Sequence, residues 1–466
     1  MVKINGGKVI ASGGYGCVFM EALKCKGSSK RQRGKISKLM TIKHSESEYD
    51  EINKIKKQLD KIKNYSNYYL LNDVTLCEPS KLTESDLIDF KSKCSSLPKD
   101  NITKKNINNK LDQLMVLNMP YGGLPVDDYL GDFSFEKLHE VHISLMGLLN
   151  NGICPMNKLN IYHCDIKDSN VLVDELSNPL KTSLIDWGLV TQYIPLKNNK
   201  FPKSWRNRPL QFNVPFSVII FTDVFVDKYS KFINDGGTIT ERSLKPFIVD
   251  YINAWIKERG KGHYEYINQM MFMLFSNDLT SDNKDEKRRE MEAHTLEIIV
   301  NYIVDVLVHF TRFRDDGTLN LREYLDTVFI NIVDIWGFIT IYYGVIDLLF
   351  VSYASLNSTE LQMFVKLKFI IIKYLYTPRH DPIDVDMLRA DFNEFEKLIK
   401  ANLNTINNDG FLQTNISTQQ YRLRSSTNSN KTKRKTKHAR KIKTKHTRKI
   451  KTKHTRKIKT KHTRKR

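Results

Sequence analysis

No aspartate, glutamate or aromatic residue occurs in residues 431–466, although that stretch holds 20 of the chain's 74 lysines and arginines. Without it, 54 basic residues face 52 acidic ones, a balance of +2 out of a formal +22. The basic excess therefore belongs to the tail, and it describes what the tail binds rather than how the chain folds. Cysteine is scarce, six in 466 residues, with no Cys-x-x-Cys pair and no regular spacing. A chain this long does not need a disulfide framework, and the spacing gives no support to zinc, so reduced thiols in a reducing compartment are expected. The first residues lack the apolar core of a secretory signal. No transmembrane segment is expected. The most apolar one, residues 335–351, is interrupted by Thr340 and bracketed by Asp334 and Asp347, so a buried helix is expected.

What is present suits one large domain or two ordinary ones, with 40% hydrophobic and 10% aromatic residues. Alternating apolar residues over 8–40 predict a hairpin around a glycine turn and a third strand. Over 46–63, Ile52, Ile55, Leu59 and Ile62 fall on one helical face. Residues 64–110 are rich in Asn, Lys and Ser and read as an insertion. After about residue 215 the pattern is helical, clearest over 247–275 and 292–313. Residues 404–430 read as a linker. From Lys431 near-copies of HTRKIKTK recur every eight residues, headed by His438, His446, His454 and His462. That period matches neither a strand face nor a heptad, and the charge density predicts disorder.

Four pieces carry chemistry, in a telling order. Ser12-Gly13-Gly14-Tyr15-Gly16-Cys17-Val18 lies between two predicted strands, where small residues let backbone N–H groups close over phosphates. A tight hairpin would need the same glycines. Lys38 follows on the third strand, and Glu51 lies in the next helix one turn before Ile55; Lys35 and Glu48 are the alternatives. A strand lysine paired with a helix glutamate can hold the α- and β-phosphates of a nucleotide. The third piece is Tyr162-His163-Cys164-Asp165-Ile166-Lys167-Asp168-Ser169-Asn170-Val171-Leu172, and the fourth is Ile185-Asp186-Trp187-Gly188.

Together these resemble the protein kinases, whose catalytic loop reads HxDxKxxNxL and whose metal-binding motif reads DFG. The resemblance covers about residues 5–400 and implies an α+β, two-lobed protein kinase-like fold. A small antiparallel-sheet lobe would span 1–119 with the insertion at 64–110. A larger, mainly helical lobe would span 120–403 with a helical insertion near 221–330. It implies ATP and Mg²⁺ as cofactors. Asp165 would accept or orient the substrate's hydroxyl proton, Lys167 would steady the phosphoryl group, and Asn170 and Asp186 would hold metal. Ala11, Gly13, Gly14, Gly16, Val18, Lys38 and Glu51 would bind nucleotide, and Met119 and Tyr121 of the hinge-like segment 118–123 would line the adenine pocket. Asp334 of Asp334-Ile335-Trp336-Gly337 would brace the catalytic loop. Residues 118–123, 163–170 and 208–217 look most like kinases of nucleocytoplasmic large DNA viruses. That implies a viral serine/threonine-protein kinase with protein substrates, acting in host cytoplasm or the virion.

The chain departs from the family pattern at Ala11, where the first glycine would stand, at Cys164 for arginine and at Trp187 for phenylalanine. Without arginine at 164, activation by loop phosphorylation is not expected, and a constitutively active enzyme is. Lys197, Lys200, Lys203, Arg206 and Arg208 follow, a run that would suit acidic substrates or simply be solvated. The alternative from another class is a pseudokinase or scaffold whose polycationic tail does the work. Residues 431–466 should bind nucleic acid or other polyanions without sequence preference, since no aromatic is there to stack on bases. Nuclear import fits the same composition.

Overall fold

Val9, Cys17, Phe19, Leu39, Leu114 and Val116 are fully buried, and their alternation with polar neighbours builds the first sheet. The computed structural model describes residues 7–195, 201–202, 205–206, 208–276, 283–315, 317 and 319–408. Strands β1 (Val9–Ser12), β2 (Gly16–Phe19), β3 (Lys35–Thr41), β4 (Thr75–Cys77) and β5 (Leu114–Pro120) form an antiparallel sheet in the order β1-β2-β3-β5-β4. Helix α1 (Ile42–Leu59) follows β3 without a loop and buries Ser45, Ile52, Ile55 and Leu59. It starts four residues before the apolar stripe suggests, because the stripe begins with a serine. Ser45 Oγ satisfies itself locally on the Thr41 and Ile42 carbonyls, so it can sit in a core position.

Residues 64–110 are no loose excursion. They supply β4, and Leu82, Leu87, Phe90, Leu97, Ile102 and Ile107 share one core with Val9, Phe19, Leu39 and Val116. Their apolar residues are sparse, yet each of these is buried. Two disulfides, Cys17–Cys94 and Cys25–Cys77, fasten this stretch to the sheet with Cα separations of 5.3 and 5.7 Å. This corrects the expectation of reduced thiols throughout. The partners lie 77 and 52 residues apart, so no local spacing betrays them. Cys154 and Cys164 are free.

The rest of the described chain is mainly helical. Short strands β6 (Leu124–Pro125), β7 (Ile161–Tyr162), β8 (Val171–Asp174), β9 (Lys181–Leu184) and β10 (Thr191–Gln192) come first. They form a three-stranded sheet, β6-β8-β9, and a β7–β10 pair. The helix Phe135–Leu148 is capped by the Ser134 hydroxyl, which accepts from Lys137 N. The predicted helix over 247–275 is two, Glu241–Arg259 and Gly262–Phe275, broken at Gly260, whose φ is +96°. The helix Lys284–Phe310 covers the second amphipathic stretch. The last helix, Val385–Asn408, runs into the stretch that reads as a linker.

Helices at Asp285–Phe310 and Arg322–Val351 are long and apolar enough to cross a membrane by composition, but the most apolar part of the second is almost wholly buried inside the protein. It is the core helix expected over 335–351, and it divides after Thr340, whose Oγ1 bonds the Gly337 carbonyl. The sheet and the helices belong to one compact unit, Met1–Leu130 with Ser134–Phe411. Of a second unit, only Gly131–Phe133 lies among the described residues. The repeat tail at 431–466 lies outside them.

Candidate functional site

The glycine segment forms the β1–β2 turn. Ala11 pairs with Val18 and Ser12 with Cys17, and Gly13 N donates to Gly16 O at 2.9 Å. Gly16 has no room for a side chain: a Cβ would collide with Met40 and approach the Leu39 carbonyl at 2.7 Å. Gly14 faces open space, and Tyr15 at the tip is 61% exposed, its ring stacked on His44 at 4.3 Å. Beneath the turn lies Lys38, whose Cε is 3.4 Å from where a Cβ on Gly13 would be.

Lys38 Nζ donates to both carboxylate oxygens of Glu48 at 2.7 Å. Glu51, the partner preferred from sequence, does not make this pair. The buried stripe of α1 runs Ser45, Glu48, Ile52, Ile55, Leu59 in steps of three and four, and Glu51 is displaced from it by one residue. Glu51 is half-buried, and burial pushes its carboxyl above the ordinary carboxylate range, while Lys54 lowers it and Glu48 raises it. Lys35, the alternative lysine, donates instead to the Asp73 carbonyl at 2.5 Å.

The loop between β7 and β8 gathers the remaining groups. Asp165 is 6% exposed. Its Oδ2 accepts from Lys167 Nζ at 3.0 Å and Asn170 Nδ2 at 2.9 Å, and its Oδ1 from Asn213 Nδ2 at 2.8 Å. Burial pushes this carboxyl up, but Lys167, Asn213 and Arg208 more than offset it and hold it below its ordinary value. Asn170 spends its amide hydrogens on the carbonyl and carboxylate of Asp165, so its Oδ1 is left without a hydrogen bond among the described residues. Asp186 follows β9 with φ +63° and is exposed, and among the described residues its carboxylate takes no hydrogen bond or ion pair. The two segments are laced together: Ile185 N donates to Asn170 O at 3.0 Å, and His163 Nε2 donates to Ile185 O at 2.9 Å. Trp187 turns inward, 4% exposed, against His163 and Tyr69. Helix α1, which carries Glu48, packs on the turn Trp187–Leu189 beside Asp186.

Asp334 is wholly buried and receives the backbone N–H groups of His163 and Cys164, both at 2.8 Å. Burial raises its carboxyl above the ordinary range, opposed by His163 and those two amides. Trp336 Nε1 donates to Phe212 O at 2.8 Å. A Cβ on Gly337 would stand 2.7 Å from Ile166 O, so the loop rests directly on the helix backbone.

The hinge-like segment is ordinary β-structure up to Pro120, with Met119 opposite Ile36. Tyr121 is 36% exposed, and its N–H already donates to Gly34 O at 2.9 Å, so that amide is not open to a ligand. Gly123, at φ +96°, lies so close to the Val173 carbonyl that any Cβ would collide with it.

Sequence reasoning did not single out His263, and it named Ser12 in the glycine segment, Arg208 in a solvated or substrate-facing basic run and Asn213 in the segment after it without their contacts to this site. Ser12 Oγ accepts from Ser95 N at 3.1 Å and Ser96 N at 3.2 Å, tying the glycine turn to the 64–110 stretch. His263, at the start of the helix Gly262–Phe275, is pushed below its ordinary value first by burial, then by Lys167. Nothing in the local sequence marks either contact. Among the described residues no group of three or more His, Cys, Asp or Glu side chains is arranged to hold a metal ion. Two oxygens, Asn170 Oδ1 and an Asp186 carboxylate, suit a cation that takes its other ligands from phosphates and water.

No family model matches this chain, and no curated protein does. The bilobal arrangement of an antiparallel sheet and a mainly helical region is one that phosphotransferase-like folds share.

Proposed function

We propose that this protein is a serine/threonine-protein kinase of the two-lobed protein-kinase fold, dependent on ATP and Mg²⁺. The observation that carries the reading is the four-way-restrained Asp165, in a loop laced to the segment of Asp186, whose carboxylate takes no partner among the described residues, with the Lys38–Glu48 pair under the glycine turn. The donor set fits the cofactors: a lysine and backbone amides for phosphate, and an amide oxygen and a carboxylate without a partner among the described residues for a hard cation. Mg·ATP would supply the phosphoryl group and the charge that screens it.

Each residue then has a task. Glu48 holds Lys38 extended towards the α- and β-phosphates. The amides of Gly14 and Gly16 would cover them, Gly13 N being already taken by Gly16 O. Asn170 Oδ1 and Asp186 hold metal. Asp165, kept ionised by its donors, orients a serine or threonine hydroxyl and takes up its proton. Lys167, 3.0 Å from Asp165, neutralises charge near the transferred group. Trp187 in place of phenylalanine keeps the metal aspartate on a buried apolar footing.

The test is transfer of labelled phosphate from ATP, with Mg²⁺, to a generic basic protein and to the chain itself. Wild type should transfer, and Asp165→Asn and Asp186→Asn should each lower the rate by roughly 1,000-fold or more. No transfer with any divalent metal would reject the kinase reading in favour of a pseudokinase or scaffold. For residues 431–466 we propose sequence-independent binding of nucleic acid or another polyanion. Filter binding at rising salt should show affinity that is lost on truncation at residue 430. Equal affinity without the tail would reject that part. Resemblance to large DNA virus kinases makes host cytoplasm or virion the expected location, with nuclear entry an alternative through the tail.

A further inference from the structure

Cys164 leaves the loop ahead of Asp165 without an arginine, yet a guanidinium is present. Arg208, 44 residues on, is 5% exposed and reaches the same loop from the segment that follows Asp186. Its Nη1 donates to Cys164 O at 2.5 Å, its Nε to Gln211 Oε1 at 2.6 Å, and its Nη2 stands 3.7 Å from Asp165 Oδ1. Trp255 Nε1 donates to Arg208 O at 3.3 Å, so its backbone is pinned as well. Five residues on, Asn213 takes Asp165 Oδ1 at 2.8 Å and Ile166 O at 3.2 Å.

A buried guanidinium is costly unless charges and acceptors around it offset the loss of water. Asp165, 3.7 Å away, and the buried Asp334 both favour the charge on Arg208. Asp334 holds the amides of His163 and Cys164 while Arg208 holds the carbonyl of Cys164, so the peptide groups on both sides of Cys164 are held. Asp165 is the next residue. Its carboxylate direction therefore depends on a cation that arrives with the downstream segment and not from its own loop.

We propose that Arg208 is a positioning residue for Asp165. It supplies from the downstream segment, as a permanent buried charge, the cation that the loop lacks at residue 164, so that no phosphate is needed to hold one there. The inference rests on the kinase reading and goes beyond it by assigning the residue that sets the base and removes the need for a phosphate. It also changes the reading of the basic run: Arg208 faces inward and is no part of a substrate-binding surface.

The experiment is steady-state phosphotransfer by the full chain for wild type, Arg208→Met, Arg208→Lys, Asp165→Asn and the double variant Asp165→Asn/Arg208→Met, with melting temperatures recorded. Arg208→Met should lower kcat by roughly 30- to 100-fold with KM for ATP changed less than about twofold. Arg208→Lys, which keeps the charge, should recover part of that loss even if Arg208→Met folds poorly. The double variant should be no slower than Asp165→Asn alone, because residues acting through one another are not additive. Phosphate-free wild type should keep its full rate. An active wild type whose two Arg208 variants keep kcat, or whose losses follow the folded fraction alone, would overturn the inference and leave the kinase reading intact. So would a large loss of rate on phosphatase treatment. An inactive wild type would overturn the kinase reading, and this inference with it.

Discussion

Lys38 and Glu48 form a forked ion pair, one ammonium against both oxygens of one carboxylate at 2.7 Å, with only 13% and 17% of the two side chains exposed. Partial burial strengthens such a pair relative to one in water and makes loss of either partner felt. Glu48→Gln should reduce phosphotransfer by about 10- to 100-fold, mainly by freeing the lysine to leave the phosphates. Glu51→Gln should stay within about threefold of wild type. The check is kcat/KM for ATP in both variants. Equal losses, or a larger loss at Glu51, would show that α1 is rotated towards Glu51 in the working protein.

The two disulfides give a second prediction. Each closes a long stretch of chain, 77 and 52 residues, and cross-links of that kind contribute about 2–4 kcal/mol by restricting the unfolded state. Thiol titration of the unfolded, unreduced chain should find two reactive thiols, Cys154 and Cys164, and six after reduction. Reduction should also lower the melting temperature. Six thiols before reduction would reinstate a fully reduced chain.

A third prediction concerns pH. His142 is wholly buried among Tyr342, Phe392 and Phe395, with Nδ1 on the Tyr342 hydroxyl at 2.9 Å. Its pKa is lowered to about 4, chiefly by burial, with Glu396 raising it and His139 and Lys400 lowering it. The unfolded chain takes up a proton on this ring near pH 6.5, and the folded chain does so only near pH 4. Its contribution is therefore fully present above about pH 6.5 and falls as the pH drops towards 4, by about 3 kcal/mol in total. His142→Phe should flatten urea unfolding curves across that window, at the cost of an unpaired Tyr342 hydroxyl. Parallel pH profiles for wild type and variant would contradict it.

Why some of this could be seen in the sequence and some could not is a matter of range. The strands over 8–40 and the apolar helix over 335–351 were legible because burial imposes periods of two and of about three and a half on neighbouring residues. Asp165, Lys167 and Asn170 converge because five residues of one loop suffice to bring them together. The choice between Glu48 and Glu51, three residues apart, turns on about 60° of helical phase, which a stripe of three isoleucines and a leucine does not define closely enough. The role of 64–110 was hidden because its buried residues are isolated among polar ones. Arg208, Asn213 and the disulfide partners are close only in space, 44 to 77 residues from what they touch.

Gly337 offers the most direct test of how the loop is seated. A methyl there would stand 2.7 Å from Ile166 O and 2.9 Å from Ile166 Cβ, and 3.2 Å from Asn213 O. None of these is the free end of a flexible side chain, so the loop or the helix must move. Gly337→Ala should cost about 1–3 kcal/mol of stability, the usual range for overpacking. Moving Ile166 also moves Asp165 beside it, so kcat should fall further than the folded fraction does. Gly147, inside the helix Phe135–Leu148, is the control, because a Cβ there meets nothing within 4 Å. Gly147→Ala should be neutral or stabilising by up to about 1 kcal/mol. Both variants would be measured by thermal melting and by phosphotransfer on the same preparations. If Gly337→Ala melts and reacts like Gly147→Ala, the loop does not rest on this helix, and the bracing of His163 and Cys164 by Asp334 would have to be reconsidered.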